Sequence, residues 1–179
     1  MKKNFWEKGF TLIELMVVVG IISILSVIVY ASFGDAKSQS RDKVLMNDLK
    51  EVQVALSLYK AQNGKYPESG CSNDVTAFVG PNPNGSVLAC SNYIKDLVPE
   101  YIEVLPTDSR VENQDGKGFF YRSDGTSYKL IVVDSIESVT VKSYSDEFAR
   151  CPVSGGDVCT DTNPPAKTYA VYSKGAESW

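Results

Sequence analysis

Apolar positions are spread unevenly along the chain, and the unevenness defines its parts. From Leu12 to Tyr30 the apolar run is broken only by Glu14, Gly20, Ser23 and Ser26. A helix of this composition is hydrophobic all round, and the run from Phe10 to Phe33 is long enough to cross a hydrocarbon core of about 30 Å. From about Lys37 to Gln62 the pattern changes. Leu45, Leu49, Val52, Leu56 and Tyr59 recur at steps of four, three, four and three, the spacing of one helix face. Arg41, Lys43, Asp48, Lys50 and Lys60 fall largely on the other side. Asn63-Gly64 supplies a left-handed C-terminal stop, and Pro67 prevents the helix from resuming. With no proline between Phe10 and Gln62, the two patterns predict one long helix with an apolar first half and an amphipathic second half.

Residues 68–100 are rich in Gly, Pro, Asn and Ser and read as a long loop with one short helix near Tyr93–Val98. Strand signals follow. Phe119–Arg122 and Ser127–Asp134 flank Ser123-Asp124-Gly125-Thr126, a hairpin signature. Val139–Tyr144 and Thr168–Ser173 alternate apolar and polar residues as further strands. Three or four antiparallel strands with one solvated face need cover on the other, and the Leu45–Tyr59 stripe provides it. The fold class is therefore α+β, a long N-terminal helix packed on a small antiparallel sheet. Its expected parts are a basic leader (1–9), the membrane half of the helix (10–33), the amphipathic half (34–63) and a loop-and-sheet head (64–179).

Charge narrows the function. The 179 residues carry a formal charge of −4 and no histidine. Such a chain has no electrostatic reason to seek nucleic acid and lacks the commonest general base and transition-metal ligand. No nucleophile elbow, phosphate loop or metalloprotease motif occurs, so no enzyme is expected. Lys2, Lys3 and Lys8 precede the apolar run against Glu7 alone, which places the N-terminus in the cytoplasm and the head outside. Glu14 does not forbid insertion: roughly a dozen Leu, Ile and Val residues at up to about −0.5 kcal/mol each outweigh one carboxylate costing at most about 3 kcal/mol. Segment features alone also admit a secretory signal cut after Val29-Tyr30-Ala31, or a plain signal anchor.

The stretch Gly9-Phe10-Thr11-Leu12-Ile13-Glu14-Leu15-Met16-Val17-Val18-Val19 resembles the processing and methylation motif of type IV prepilins and type II secretion pseudopilins. The likeness covers the basic leader, the glycine, the phenylalanine after it, the acid four residues on and the apolar helix. It implies a type IV pilin-like fold and cleavage between Gly9 and Phe10 by a prepilin peptidase, with methylation of the new Phe10 amine. It further implies Glu14 pairing with the Phe10 amine of a neighbouring subunit, and self-assembly into a helical filament on an inner-membrane platform. The physics agrees, because a carboxylate among packed apolar helices needs a cationic partner. Glu14 would favour one axial stagger between subunits, as a buried polar residue does in a coiled coil. The chain departs from many family members in lacking a proline near Ala31, where only Gly34 and the Ser32 and Ser38 positions weaken the helix.

Cys71, Cys90, Cys151 and Cys159 all follow the membrane segment, in the compartment where disulfides persist. Four cysteines allow three pairings; Cys71–Cys90 and Cys151–Cys159 are preferred because each closes a turn-rich loop. A zinc site is the competing reading, but paired C-x₂-C spacing is absent. The late pair resembles the disulfide-bounded loop of type IV pilins. Major pseudopilins often hold calcium near the C-terminus; Asp157 and Asp161 are close in sequence, but their surroundings do not reproduce that loop, and no metal or cofactor is expected. Asn84-Gly85-Ser86 fits a glycosylation sequon. The Tyr59–Pro67 turn and the final Ser178-Trp179 incline the reading to a type II secretion pseudopilin. The late cysteine pair and the missing calcium loop favour a type IV pilus pilin for adhesion, motility or DNA uptake. A membrane-anchored binding protein that never polymerises is the reading from a different class.

Overall fold

The computed structural model describes residues 9–82, 89–112, 114–138, 144–152 and 167–179, without the side chains of residues 30–32. One long helix, α1 (Leu12–Asn63), precedes three strands. The chain divides into two compact units, one ending at Ser38 and one running Gln39–Trp179.

In the first unit the apolar side chains point to the exterior on every side of the helix. Ile13, Leu15, Val17, Ile21, Ile24 and Ile28 are all more than half exposed. Among the described residues α1 is the helix long and apolar enough to cross a membrane. Its two mid-segment serines do not disturb this character, because Ser23 and Ser26 donate to the carbonyls of Val19 and Ile22, each at 2.7 Å.

The second unit holds the core. Leu45, Leu49, Val52 and Leu56 are buried as the spacing requires, with Tyr59 packed at the margin. They meet Phe119, Tyr121, Leu130, Val132, Tyr169 and Val171 from the sheet, and Tyr93, Ile94 and Leu97 from the loop. Each such aliphatic side chain, taken from water, contributes ~1.5–3 kcal/mol. The helix ends where expected: Gly64 takes φ +75° and its amide donates to the Lys60 carbonyl at 2.8 Å.

Strands β1 (Gly118–Ser123), β2 (Tyr128–Val133) and β3 (Tyr169–Tyr172) lie antiparallel in that order. The hairpin between β1 and β2 is closed by Asp124, whose Oδ1 accepts the amides of Thr126 at 2.8 Å and Ser127 at 2.7 Å, while Gly125 takes φ +83°. The expected strand Val139–Tyr144 lies outside the described residues except for Tyr144, which sits in a turn.

Three local expectations are corrected. Residues 93–98 form turns rather than a helix. Tyr93 and Glu68 carbonyls accept the amides of Gly70 and Lys95, and Asp96 adopts φ +58°, which no helix interior tolerates. The sheet is covered on both faces. Phe120, Ile131 and Ala170 form a second small cluster with Phe78, Val133 and Tyr172, and the segment after β3 crosses the same face. There Lys129 is fully buried, its Nζ donating to the carbonyls of Glu177 at 2.9 Å and Trp179 at 2.8 Å, and Trp179 stacks on Arg122 at 4.1 Å. Burial, and secondarily Arg150, lower the Lys129 pKa to about 7, partly offset by Glu177.

The polar side of the amphipathic helix is also less free than its spacing suggests. Asp42 is buried and accepts the amides of Glu137 at 3.0 Å and Ser138 at 2.8 Å together with the Ser138 hydroxyl. Arg41 pairs with Glu137, which also receives Arg110, and Arg110 in turn pairs with buried Asp108 at 2.9 Å. Asp48 is half-buried, and desolvation raises its carboxyl above the usual range.

Candidate assembly site

The residues singled out by the prepilin-like motif sit at the start of α1. Gly9 and Phe10 precede the helix, Phe10 is 86% exposed, and no atom lies within 4 Å of where a Gly9 side chain would begin. The peptide bond between them is accessible. The leader, residues 1–8, lies outside the described residues.

Glu14 occupies the third position of the helix, and its local geometry is specific. Its Oε2 accepts the Thr11 amide at 2.9 Å and the Thr11 hydroxyl at 2.7 Å. The Glu14 amide donates to the Thr11 hydroxyl oxygen at 3.3 Å. These reciprocal bonds make a capping box, in which the N-cap hydroxyl and the acid three residues later satisfy each other's orphan donors. The prepilin-like motif points to Gly9, Phe10 and Glu14 and not to Thr11, although Thr11-x-x-Glu14 opening an apolar run is itself a capping pattern.

Cys71 and Cys90 form a disulfide with S–S 2.03 Å and Cα–Cα 5.9 Å across a separation of 19 residues. It closes a loop whose backbone is pressed tight: a Cβ at Gly70 would lie 1.8 Å from the Asn92 carbonyl oxygen. In the pair expected between Cys151 and Cys159, Cys151 is buried and Cys159 lies outside the described residues. Asp157, Asp161 and the Asn84 sequon lie outside them too. Among the described residues no group of three or more acidic, cysteine or histidine side chains is placed to hold a metal ion. The grooves on the second unit are open, with mixed polar and apolar walls; one of about 310 Å³ is lined by residues such as Asn82, Ser91, Thr107, Asp108, Ser109 and Glu112.

A helix apolar on all sides, one carboxylate near its start, an accessible Gly-Phe bond before it and a small α+β head together define a membrane-anchored, pilin-like subunit. The chain belongs to the type IV pilin and type II secretion pseudopilin family. The family profile of the prokaryotic N-terminal methylation motif matches residues 7–30. Type II secretion system core protein G of Pseudomonas aeruginosa is 35% identical over 102 residues, 57% of this chain and 67% of the relative. Its counterpart from Vibrio cholerae is 34% identical over 110 residues, 60% of this chain and 68% of the relative. A type IV major pilin of Neisseria gonorrhoeae is 34% identical over 76 residues, 41% of this chain and 45% of the pilin. The alignments thus span about two thirds of the core G relatives. No solved structure matches the chain significantly. With such relatives the chain is a structural subunit and not an enzyme.

Proposed function

We propose that the chain is a pseudopilin of a type II protein secretion system. A prepilin peptidase cuts it between Gly9 and Phe10 and methylates the Phe10 amine, and it polymerises through the apolar half of α1. The membrane holds the unassembled subunit with its N-terminus cytoplasmic and its head exported. The observation that carries the reading is a single carboxylate, Glu14, set in an otherwise apolar helix surface that is exposed all round. In water such a surface is unstable, and in lipid or among packed helices the carboxylate requires a cation. The Phe10 amine of a neighbouring subunit is a cation of suitable size, released only by cleavage at Gly9. An inner-membrane assembly platform would receive the processed subunit.

Two measurements test this. Intact-mass or N-terminal analysis should find mature protein beginning at N-methylated Phe10; a start at Ser32 or an uncut Met1 overturns the processing. Glu14→Ala should leave insertion intact and abolish filament formation or secretion. An unaffected Glu14→Ala variant would instead support a membrane-anchored binding protein that does not polymerise. The type IV pilus reading is favoured by the pilin relative from Neisseria gonorrhoeae. Loss of surface filaments without loss of protein secretion on deletion would select it.

A further inference from the structure

We infer that residues 175–179 form a strap over the sheet face turned away from α1, hinged at Gly175, whose grip tightens when the buried Lys129 amine gives up its proton. Up to Lys174 the segment after β3 is tied to the hairpin. The Ser173 amide donates to the Tyr128 carbonyl at 3.0 Å, and its Oγ accepts the Tyr128 amide at 2.9 Å. The Ser127 hydroxyl donates to the Lys174 carbonyl at 3.0 Å. Gly175 then takes φ +99°, where a Cβ would lie 2.8 Å from Ser127 Oγ. Beyond this hinge three contacts hold the strap down. Ala176 is fully buried, Trp179 stacks on Arg122, and fully buried Lys129 reaches the carbonyls of Glu177 and Trp179.

The Lys129 site suits a neutral amine better than an ammonium. A neutral amine has two N–H donors, and the strap supplies two carbonyl acceptors. An ammonium carries a third proton, for which the further acceptor near Nζ is the Tyr172 ring, its centroid a distant 5.0 Å away. The surrounding charges agree. Arg150 and Arg122 of β1 repel a positive charge, while Glu177 attracts one with Oε2 turned to the Gly175 amide at 2.7 Å. The Tyr172 phenol is pushed above its usual value by burial and stays neutral near pH 8. Removal from water opposes the charge most of all, and the Lys129 pKa falls from 10.5 to about 7. When the strap lifts, the amine regains water and takes a proton. Between about pH 7 and 10.5 the closed strap thus binds fewer protons than the lifted one, so closure is favoured as pH rises through that window and levels off below it. Lifting uncovers Arg122, Lys129 and Tyr172, and pH sets how often that cationic, aromatic face is presented.

Amide hydrogen exchange of the full-length chain in detergent tests this, read as protection factors so that the intrinsic rate's own pH dependence drops out. The amides of Ala176 and Trp179, which donate to the Ser173 and Ala176 carbonyls at 3.2 and 3.3 Å, report the strap. The Leu130 amide, in the centre strand, reports the sheet. In the wild type, protection of the strap amides should rise about eightfold between pH 7.5 and 8.5, the effect of one linked proton. It should stay below that of Leu130 throughout, because lifting leaves the sheet folded. Lys129→Met fills the same space without titrating, and its strap protection should not change with pH. Lys129→Gln, which keeps two N–H donors and no charge, should behave likewise and serves if the methionine variant does not fold. A flat wild-type profile, a slope that persists in the folded variant, or strap amides as protected as Leu130 each overturn the inference.

Discussion

The same helix serves two opposite purposes on either side of Ser38. Before it, large apolar side chains such as Ile21 and Ile24 stay exposed; after it, Leu49, Val52 and Leu56 are wholly buried. Secondary structure does not distinguish the halves, since α1 runs through both and neither holds a proline. The difference lies in where the apolar surface can go. An all-round apolar surface must be removed from water by lipid or by other copies, whereas a stripe is satisfied by a small domain of the same chain. Stability of the head therefore depends on the second half of α1, and the assembly proposed above on the first.

Substitutions that probe the two halves separately test that division. The largest effect is expected at the core: Leu49→Ala should destabilise the second unit by ~2–5 kcal/mol, because the buried site cannot collapse around the cavity. Denaturant unfolding of the detergent-solubilised chain, followed by near-ultraviolet circular dichroism, measures it. Ile21→Ala in the same assay should leave the head within about 0.5 kcal/mol of wild type. Equal losses from both substitutions would break the comparison.

Removing the Cys71–Cys90 bridge by Cys71→Ser with Cys90→Ser should cost roughly 3 kcal/mol on the loop-closure estimate, read as a lower denaturant midpoint. Asp42→Ala comes next. It strands the amides of Glu137 and Ser138, and a buried donor left unpaired costs ~1–3 kcal/mol.

The smallest expected effect is a pH dependence. Glu137 is held down to about 2, first by the hydrogen bond from Arg41, then by Arg110, against some desolvation. A carboxylate with a depressed folded-state pKa binds fewer protons folded than unfolded. Its contribution is therefore complete above the ordinary carboxylate range near 4.5 and disappears as pH falls through about 2. The group is partly exposed, so screening keeps the effect modest. Glu137→Gln should flatten that part of the acid unfolding curve. An unchanged curve would remove Glu137 from the account of how the head is fastened to the helix.

Much of this molecule was determined by residue order alone. The length and all-apolar character of residues 12–30, the seam at Leu45–Tyr59, the Asn63-Gly64 stop and the Asp124-Gly125 hairpin are local patterns whose consequences need no distant partner. The prepilin-like motif is equally local, and so was the overlooked Thr11–Glu14 capping box. Tertiary structure decided what depends on neighbours far along the chain. Residues 93–98 became turns because their backbone pairs with Glu68 and Gly70. Lys129, in a strand position that alternation would send to solvent, is buried because the segment after β3 folds over it and offers two carbonyls. Arg41, which spacing puts on the polar side of the amphipathic helix, and its neighbour Asp42 are instead engaged by Glu137 and Ser138. Periodicity identifies the face of an element that must be covered; it does not reveal which other polar groups a returning chain will cover as well.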